Sequence, residues 1–113
     1  MANDPECIFC KIVAGAIPTE LLGSNDGAVA FRDIAPRQPV HILIVPREHH
    51  KNVVELTASS ADELHHVVSL ANQIAAEFTN GDFRLTFNTG TGAGQTVFHA
   101  HAHVTSKSPK AIA

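Results

Sequence analysis

The apolar and polar positions of the chain follow two periods, one typical of a helix and one typical of strands. From Leu64 to Phe78 the apolar residues recur every three or four positions, which predicts an amphipathic helix. A capping box precedes this segment, with Ser60 as the N-cap and Glu63 reaching back to it. A shorter helical segment covers residues 10–14. We therefore predict one long helix and a short N-terminal helix.

Short runs of alternating or β-branched residues predict five strands around the long helix. An Asp-Gly pair at residues 26–27 predicts a hairpin turn between the first two strands. Because helices do not alternate regularly with strands, a parallel βαβ fold is disfavoured. We expect an α+β domain in which a mostly antiparallel five-stranded sheet carries the long helix on one face. The predicted strands cover residues 20–24, 28–32, 40–45, 83–88 and 99–104.

The length of 113 residues limits the chain to one domain. We expect a single domain over residues 1–113, with a core from 7 to 104 and a flexible tail over 105–113. A formal net charge of −3 argues against nonspecific binding of nucleic acid. No apolar run approaches the ~20 residues of a membrane span, and the N-terminus lacks the apolar core of a signal peptide. These features favour a cytoplasmic protein that binds neither nucleic acid nor membranes.

Residues 99–104 read His-Ala-His-Ala-His-Val, so that histidine alternates with small apolar residues. In a strand, this alternation places His99, His101 and His103 on one face, with neighbours roughly 7 Å apart. The alanines and the valine can then face a core. Histidine is the usual residue for proton transfer, nucleophilic attack and metal ligation near neutral pH. The pattern predicts a functional site, against the alternative of an ordinary surface strand.

A glycine-rich loop, Asn-Thr-Gly-Thr-Gly-Ala-Gly-Gln-Thr at residues 88–96, leads into the histidines. Glycines let backbone N–H groups approach an anion closely, and Gln95 and Thr96 add an amide donor and a hydroxyl. The loop lacks the Gly-Lys-Ser/Thr ending of a P-loop. A neutral imidazole is a good nucleophile towards phosphorus when a carbonyl orients its other ring nitrogen. Loop and histidines together favour a phosphate site.

Cys7 and Cys10 form a C-x-x-C pair, which is typical of half a zinc site or of a redox pair. Nothing strand-like precedes Cys7, which disfavours the redox pair. A zinc site needs two further ligands, and the candidates are His49, His50 and His99. On spacing alone, zinc and two reduced thiols without a metal stay equally open.

Two further polar residues are candidates for the same site. His41 lies in the apolar segment 40–45 and is either a satisfied core residue or a member of the histidine cluster. Asp33 follows the segment 28–32 and is either a carboxylate in a surface turn or an acceptor for the hydroxyls of a sugar. The residues themselves do not decide between these alternatives.

The order of these motifs resembles the histidine triad (HIT) family, and within it the Hint-like branch of the bacterial, zinc-containing type. The carrying motif is Gln-Thr-Val-Phe-His-Ala-His-Ala-His-Val at residues 95–104. Supporting it are Cys-Ile-Phe-Cys-Lys-Ile at 7–12, Ile-Pro at 17–18, Phe-Arg-Asp-Ile-Ala-Pro at 31–36 and His-Ile-Leu-Ile-Val-Pro-Arg-Glu-His at 41–49. The agreement covers residues 7–104.

The resemblance implies a nucleotidyl hydrolase or transferase that acts at the α-phosphate of a purine nucleotide, such as a purine nucleoside phosphoramidase. His101 would be the nucleophile and would form a nucleotidyl-histidine intermediate. His103 would contact the phosphate, and His41 would support the triad. His99 would either orient the site or bind zinc. The alternatives are a dinucleoside polyphosphate hydrolase, or a zinc-stabilised scaffold dimer that binds nucleotides with little turnover.

The resemblance also implies the remaining contacts and a homodimer. Asp33 would accept the ribose hydroxyls. The residues facing the phosphate and leaving group would be Gln95, Thr96 and Asn88. The residues lining an apolar base pocket would be Ile8, Phe9, Ile12, Phe31 and Ile34. The ligands of a structural zinc ion would be Cys7, Cys10, His49 and His99.

Overall fold

A five-stranded antiparallel sheet organises residues 4–110, the part of the chain that the computed structural model describes. The elements in chain order are α1 (Ile8–Val13), β1 (Gly23–Ser24), β2 (Ala28–Arg32), β3 (Val40–Pro46), α2 (Val53–Ser59), α3 (Ala61–Phe78), β4 (Arg84–Phe87), a 3₁₀ turn (Thr91–Ala93) and β5 (Ala102–Ser106). The strands lie in the order β1-β2-β3-β5-β4, and each neighbouring pair is antiparallel. The predicted α+β class, with one long helix and a short N-terminal helix, is confirmed.

The turn between β1 and β2 is closed by the side chain of Asn25. Its amide oxygen accepts hydrogen bonds from the backbone N–H groups of Gly27 at 3.0 Å and Ala28 at 2.8 Å. Such a turn satisfies backbone donors where the strands cannot. Glycine is required at position 27 because a Cβ there would lie 2.7 Å from the Cβ of His66. The predicted hairpin is present, and its turn packs against α3.

The long helix α3 begins where the sequence predicts, because the Ser60 hydroxyl accepts a hydrogen bond from the Glu63 backbone N–H at 3.0 Å. The second half of the predicted capping box is wrong. The Ser60 N–H donates to the carbonyl of Leu56 at the end of α2, at 2.9 Å. The Glu63 carboxylate lies beside His50 instead, with Oε1 3.2 Å from Nε2.

Apolar residues on the two faces of the sheet form two cores. The core between the sheet and α3 includes Ala30, Ile42, Ile44, Leu70 and Ile74. The core beside α1 consists of Phe9, Val29, Phe31, Leu43 and Val45. Because neighbouring residues of a strand point to opposite faces, β2 and β3 are buried on both sides. A cluster of cysteines and histidines lies where α1 meets the segment before β5, and an open cleft lies between β4, β5 and the loop that follows β2.

The predicted strand over residues 99–104 begins later than expected, at Ala102. Ala102 pairs with Ile44 of β3, so a longer β5 would soon run alongside Pro46, which has no N–H to donate. The Ala100 N–H donates instead to the carbonyl of His50. His99 and His101 therefore precede the strand. The predicted alternation persists, because the two alanines and Val104 belong to the core against α3.

The structure places regular contacts beyond residue 104, where the predicted core ends and the predicted tail begins. β5 continues to Ser106, and Pro109 forms a bridge with Thr79. The Lys110 N–H donates to the carbonyl of Phe78 at 2.9 Å, at the end of α3, where carbonyl groups lack partners within the helix. Residues 111–113 lie outside the described part of the chain. Within residues 4–110, no helix combines the length and the apolar content needed to cross a membrane.

Candidate active site

An open cleft of about 510 Å³ lies beside the histidine segment, between β4, β5 and the loop that follows β2. It brings His101 and His103 together with His41, which the sequence left undecided between core and site. Asp33 lies at the same cleft. The predicted residues that line it are Asp33, His41, Asn88, Thr96, His101 and His103. Six residues from separate segments therefore meet at one surface.

The ring orientation of His101 is set by a backbone carbonyl. Its Nδ1 lies 2.8 Å from the carbonyl oxygen of His99. A carbonyl oxygen only accepts hydrogen bonds, so Nδ1 carries the proton and donates. Burial lowers the pKa of His101, which keeps the ring neutral near pH 7. The unprotonated nitrogen is then Nε2, and it is the nitrogen that can act as a nucleophile.

His103 receives its orientation from His41. The backbone N–H of Arg37 donates to Nδ1 of His41 at 3.1 Å, so Nδ1 is an acceptor and the ring proton is on Nε2. This Nε2 lies 2.9 Å from Nδ1 of His103 and 3.3 Å from Oδ2 of Asp33. His41 can therefore donate to His103, whose own proton must then be on Nε2.

The protonation of His103 follows from its surroundings. Its pKa is lowered to about 4, chiefly by burial; the neighbouring His101 and His41 act in the same direction and Asp33 in the opposite one. The ring centroids of His101 and His103 are 4.9 Å apart. His103 therefore stays neutral near pH 7 and offers an N–H donor next to the lone pair of His101.

His99 belongs to a different cluster, at the start of α1. Its Nε2 lies 2.9 Å from the carbonyl oxygen of Pro46 and must donate to it, which leaves the lone pair on Nδ1. This Nδ1 lies 3.4 Å from the sulfur atoms of both Cys7 and Cys10. Nδ1 of His49 lies 3.3 Å from Cys10 Sγ. All four ligand atoms lie within 4.8 Å of one another.

This cluster has the donors of a tetrahedral zinc site. Zinc binds sulfur at about 2.3 Å and imidazole nitrogen at about 2.0–2.1 Å, which separates neighbouring ligand atoms by about 3.6 Å. Burial lowers the pKa of His99 to about 4, so its ring is neutral, as metal ligation requires. Cys7 is also the N-cap of α1 and accepts a hydrogen bond from the Cys10 N–H. The four predicted ligands can hold a metal, whereas His50 lies elsewhere, beside Glu63.

Gln95 does not face the cleft, which corrects its predicted position. The side chain is only 2% exposed. Its amide nitrogen donates to the carbonyls of Lys51 at 2.8 Å and Val97 at 3.0 Å. Its amide oxygen accepts from the Gly90 N–H at 2.8 Å. A buried amide needs such partners, so Gln95 fixes the glycine-rich loop from behind.

The five apolar residues predicted for a base pocket are not gathered into one pocket. Phe9 and Phe31 are core residues whose ring centroids are 5.6 Å apart, and Phe9 contacts the ring of His101 edge-on at 5.0 Å. Ile12 packs at the edge of that core. Ile34, by contrast, is 100% exposed, and Ile8 is about half exposed. Only the last two have much surface to offer a ligand.

Further polar residues, which were not predicted from the sequence, lie on the walls of the cleft. Arg84 and Thr86 of β4 line it, together with Arg37 and Thr105. Arg84 and Thr86 occupy the polar positions of the predicted strand 83–88, so its alternation carried a signal for them. Arg37 lies in a loop, where no alternation of apolar and polar residues indicates which side chains face the cleft. The two arginines add positive charge next to the neutral histidines, as a phosphate group requires.

Comparisons with known proteins identify the family of the chain. The family model described as "Scavenger mRNA decapping enzyme C-term binding" matches residues 6–112. An uncharacterized HIT-like protein of Synechococcus elongatus is 41% identical over 101 residues, which are 88% of each chain. The purine nucleoside phosphoramidase of Escherichia coli is 35% identical over 106 residues, 92% of this chain and 89% of that one.

Solved structures agree as well. A histidine triad protein from Clostridium difficile has a TM-score of 0.86 at 34% identity, covering 99% of this chain and 97% of its own. A HIT family hydrolase from Clostridium thermocellum has a TM-score of 0.84 at 38% identity, covering 90% of both chains. The chain belongs to the histidine triad (HIT) family.

Proposed function

We propose that the protein is a nucleotidyl hydrolase of the phosphoramidase type, which releases a purine nucleoside monophosphate from a phosphoramidate. The observation that carries the proposal is the hydrogen bond from Nδ1 of His101 to the carbonyl of His99, at 2.8 Å. It leaves an oriented lone pair on Nε2, as nucleophilic attack on phosphorus needs. The name of the Escherichia coli relative supports the choice of substrate.

The reaction proceeds in two steps. Nε2 of His101 attacks the α-phosphorus, so that a phosphorus–nitrogen bond to the histidine forms and the bond to the substrate's amine breaks. The amine leaves with a proton taken from solvent in the open cleft, and the proton that water gives up in the second step returns to solvent. Water then breaks the nucleotidyl-histidine bond and restores the neutral ring. The positive charge that develops on His101 is stabilised by the carbonyl that already accepts its Nδ1 proton.

Other residues at the cleft bind the nucleotide. His103 donates from Nε2 to a phosphate oxygen, and Thr96 and Asn88 hold the phosphate from the loop side. Asp33 accepts the ribose hydroxyls, since each of its carboxylate oxygens keeps a lone pair beyond its contacts with His41 and Ala35. Ile8 and Ile34 cover the base with their exposed side chains.

A zinc ion held by Cys7, Cys10, His49 and His99 has a structural role in this proposal. With four protein ligands the site has no open position, so the ion supplies stability and no chemistry. It would tie α1 to the segment that carries His101. We also propose a cytoplasmic location, because the four ligands include two thiols that a reducing compartment preserves. The homodimer is proposed on the family resemblance alone.

The test follows the release of AMP from adenosine 5′-phosphoramidate. The His101→Ala variant should lose activity by at least about 10³-fold, because the nucleophile is gone. His65→Ala is the matched control, since His65 is exposed on α3 and should leave the rate unchanged. Trapped wild-type enzyme should carry the nucleotidyl group on the peptide that contains His101.

The same assay separates the alternatives. Faster turnover of a dinucleoside polyphosphate than of the phosphoramidate would favour the polyphosphate hydrolase. Tight binding of AMP without turnover of either substrate would favour the scaffold dimer. Equal rates for the wild type and His101→Ala would refute the nucleophile.

A further inference from the structure

A buried pair of polar side chains lies behind the histidine segment and has no role in the proposed reaction. His50 follows the metal-ligand candidate His49, and Glu63 is in the first turn of α3. Their side chains are 1% and 9% exposed, and His50 Nε2 lies 3.2 Å from Glu63 Oε1. Buried groups of this kind are costly unless something compensates their polarity.

The hydrogen bonds within residues 4–110 do not provide this compensation. Neither ring nitrogen of His50 has a hydrogen-bond partner there, and neither does Oε1 of Glu63. The short contact between them therefore lacks the geometry of a hydrogen bond. Two potential ligand atoms lie side by side, close together and out of contact with solvent.

A third ligand group completes the cluster. The carboxylate of Glu48 joins His50 and Glu63, and the three ligand atoms lie within 4.8 Å of one another. An ion bound at about 2.0–2.2 Å holds neighbouring ligand atoms about 3.0–3.5 Å apart, which is the separation of His50 and Glu63. Glu48 is exposed, so it opens a route from solvent to the two buried ligands.

We propose that Glu48, His50 and Glu63 form a second site, separate from the Cys7/Cys10/His49/His99 cluster, for a divalent cation of the Mn²⁺ type. One imidazole and two carboxylates make a harder donor set than two thiolates and two imidazoles, and such ligands suit Mn²⁺. The two carboxylates also neutralise the charge of the ion. The two sites should therefore take different metals from one solution.

An ion in this site would connect two parts of the fold. The carbonyl of His50 accepts the N–H of Ala100, between His99 and His101, and Glu63 belongs to α3. The ion would fasten the start of α3 to the backbone that positions the histidine segment. We therefore expect Mn²⁺ to raise the melting temperature of the zinc-loaded protein.

The test uses the full chain with one equivalent of zinc bound, titrated with Mn²⁺ and followed by the electron paramagnetic resonance signal of free Mn²⁺. The wild type should bind one further equivalent. Glu63→Gln and Glu48→Gln should each weaken this binding at least tenfold, because outer partners of metal ligands alone cost about 10–100-fold. Glu77→Gln is the matched control, with an exposed carboxylate at the other end of α3.

Glu48→Gln protects the test against a folding artefact, because Glu48 is exposed and its removal should leave the fold intact. Circular dichroism checks this for every variant. Loss of Mn²⁺ binding in folded Glu48→Gln, with binding retained in Glu77→Gln, would support the site. No bound Mn²⁺ in the zinc-loaded wild type, or equal affinity in the wild type and both ligand variants, would overturn it.

Discussion

His99 and His101 are two residues apart, and they serve two different clusters. Both rings donate one hydrogen bond to a backbone carbonyl. For His99 the donor is Nε2, which leaves Nδ1 to face the cysteines. For His101 the donor is Nδ1, which leaves a lone pair on Nε2, at the cleft. The choice of carbonyl therefore separates the candidate metal ligand from the proposed nucleophile, although both are histidines.

The two clusters also differ in what surrounds them. The cluster at α1 consists of two thiols and two imidazoles, whose four ligand atoms lie within 4.8 Å of one another. The cleft has neutral histidines, an aspartate and arginines around about 510 Å³ of open space. One cluster suits a closed ion site and the other suits an anion that enters and leaves.

The largest expected effects come from substituting each of the two histidines, because one variant should lose activity and the other should lose zinc. His101→Asn should remove activity by at least about 10³-fold and leave the zinc content unchanged. His99→Asn should lose zinc and, with it, stability. At free zinc about 1,000 times the Kd, bound metal contributes about 4 kcal/mol to the free energy of unfolding. Metal analysis and denaturant unfolding with and without zinc measure the difference.

Two outcomes would contradict the assignment of His99 and His101 to separate clusters. Stoichiometric zinc in His99→Asn, with the same zinc-dependent stability as the wild type, would remove His99 from the metal site. Loss of zinc in His101→Asn would join the two clusters into one. The exposed His65 again provides the control, as His65→Asn.

A smaller effect is expected from His41, which acts on the substrate through His103. His41→Leu removes the donor to Nδ1 of His103, and leaving that nitrogen without a partner costs about 1–3 kcal/mol, or roughly 5- to 150-fold in kcat. His41→Gln should recover much of this rate, because a glutamine amide can place a donor near the position of the imidazole Nε2. KM should change little in either variant. Equal rates for Leu and Gln would show that His41 only fills space.

Regular elements could be predicted from the sequence because they depend on local patterns. The apolar period of α3 and the Ser60 cap predicted the long helix, and the Asn-Asp-Gly turn predicted the first hairpin. The strand over 99–104 was too long because its start depends on Pro46, a residue of another strand. The ordered segment 107–110 was missed for the same reason, since its partners are at the end of α3.

The sequence named several residues that the fold brings to the cleft, but it could not give the orientation of their side chains. The resemblance selected His49 over His50, a choice that spacing alone left open. Which nitrogen of His99 or His101 carries the proton depends on carbonyls that only the fold brings near. Gln95 was placed at the phosphate because it follows a glycine-rich loop, yet its amide is held by Lys51 from a distant segment.

The smallest expected effect concerns pH and sharpens the role of His103. Its pKa falls from an ordinary 6.5 to about 4 in the folded protein, chiefly through burial. Between these values the unfolded chain binds more protons than the folded one, so this residue makes stability rise with pH. The contribution is complete above about pH 6.5 and is lost as pH falls through about 4. Denaturant unfolding from pH 4 to 7 should therefore show a shallower pH slope in His103→Gln than in the wild type, by up to one proton. An unchanged slope would mean that the pKa of His103 stays near 6.5 in the folded protein. Its ring would then be partly charged near neutral pH and would not be the neutral donor proposed for the cleft.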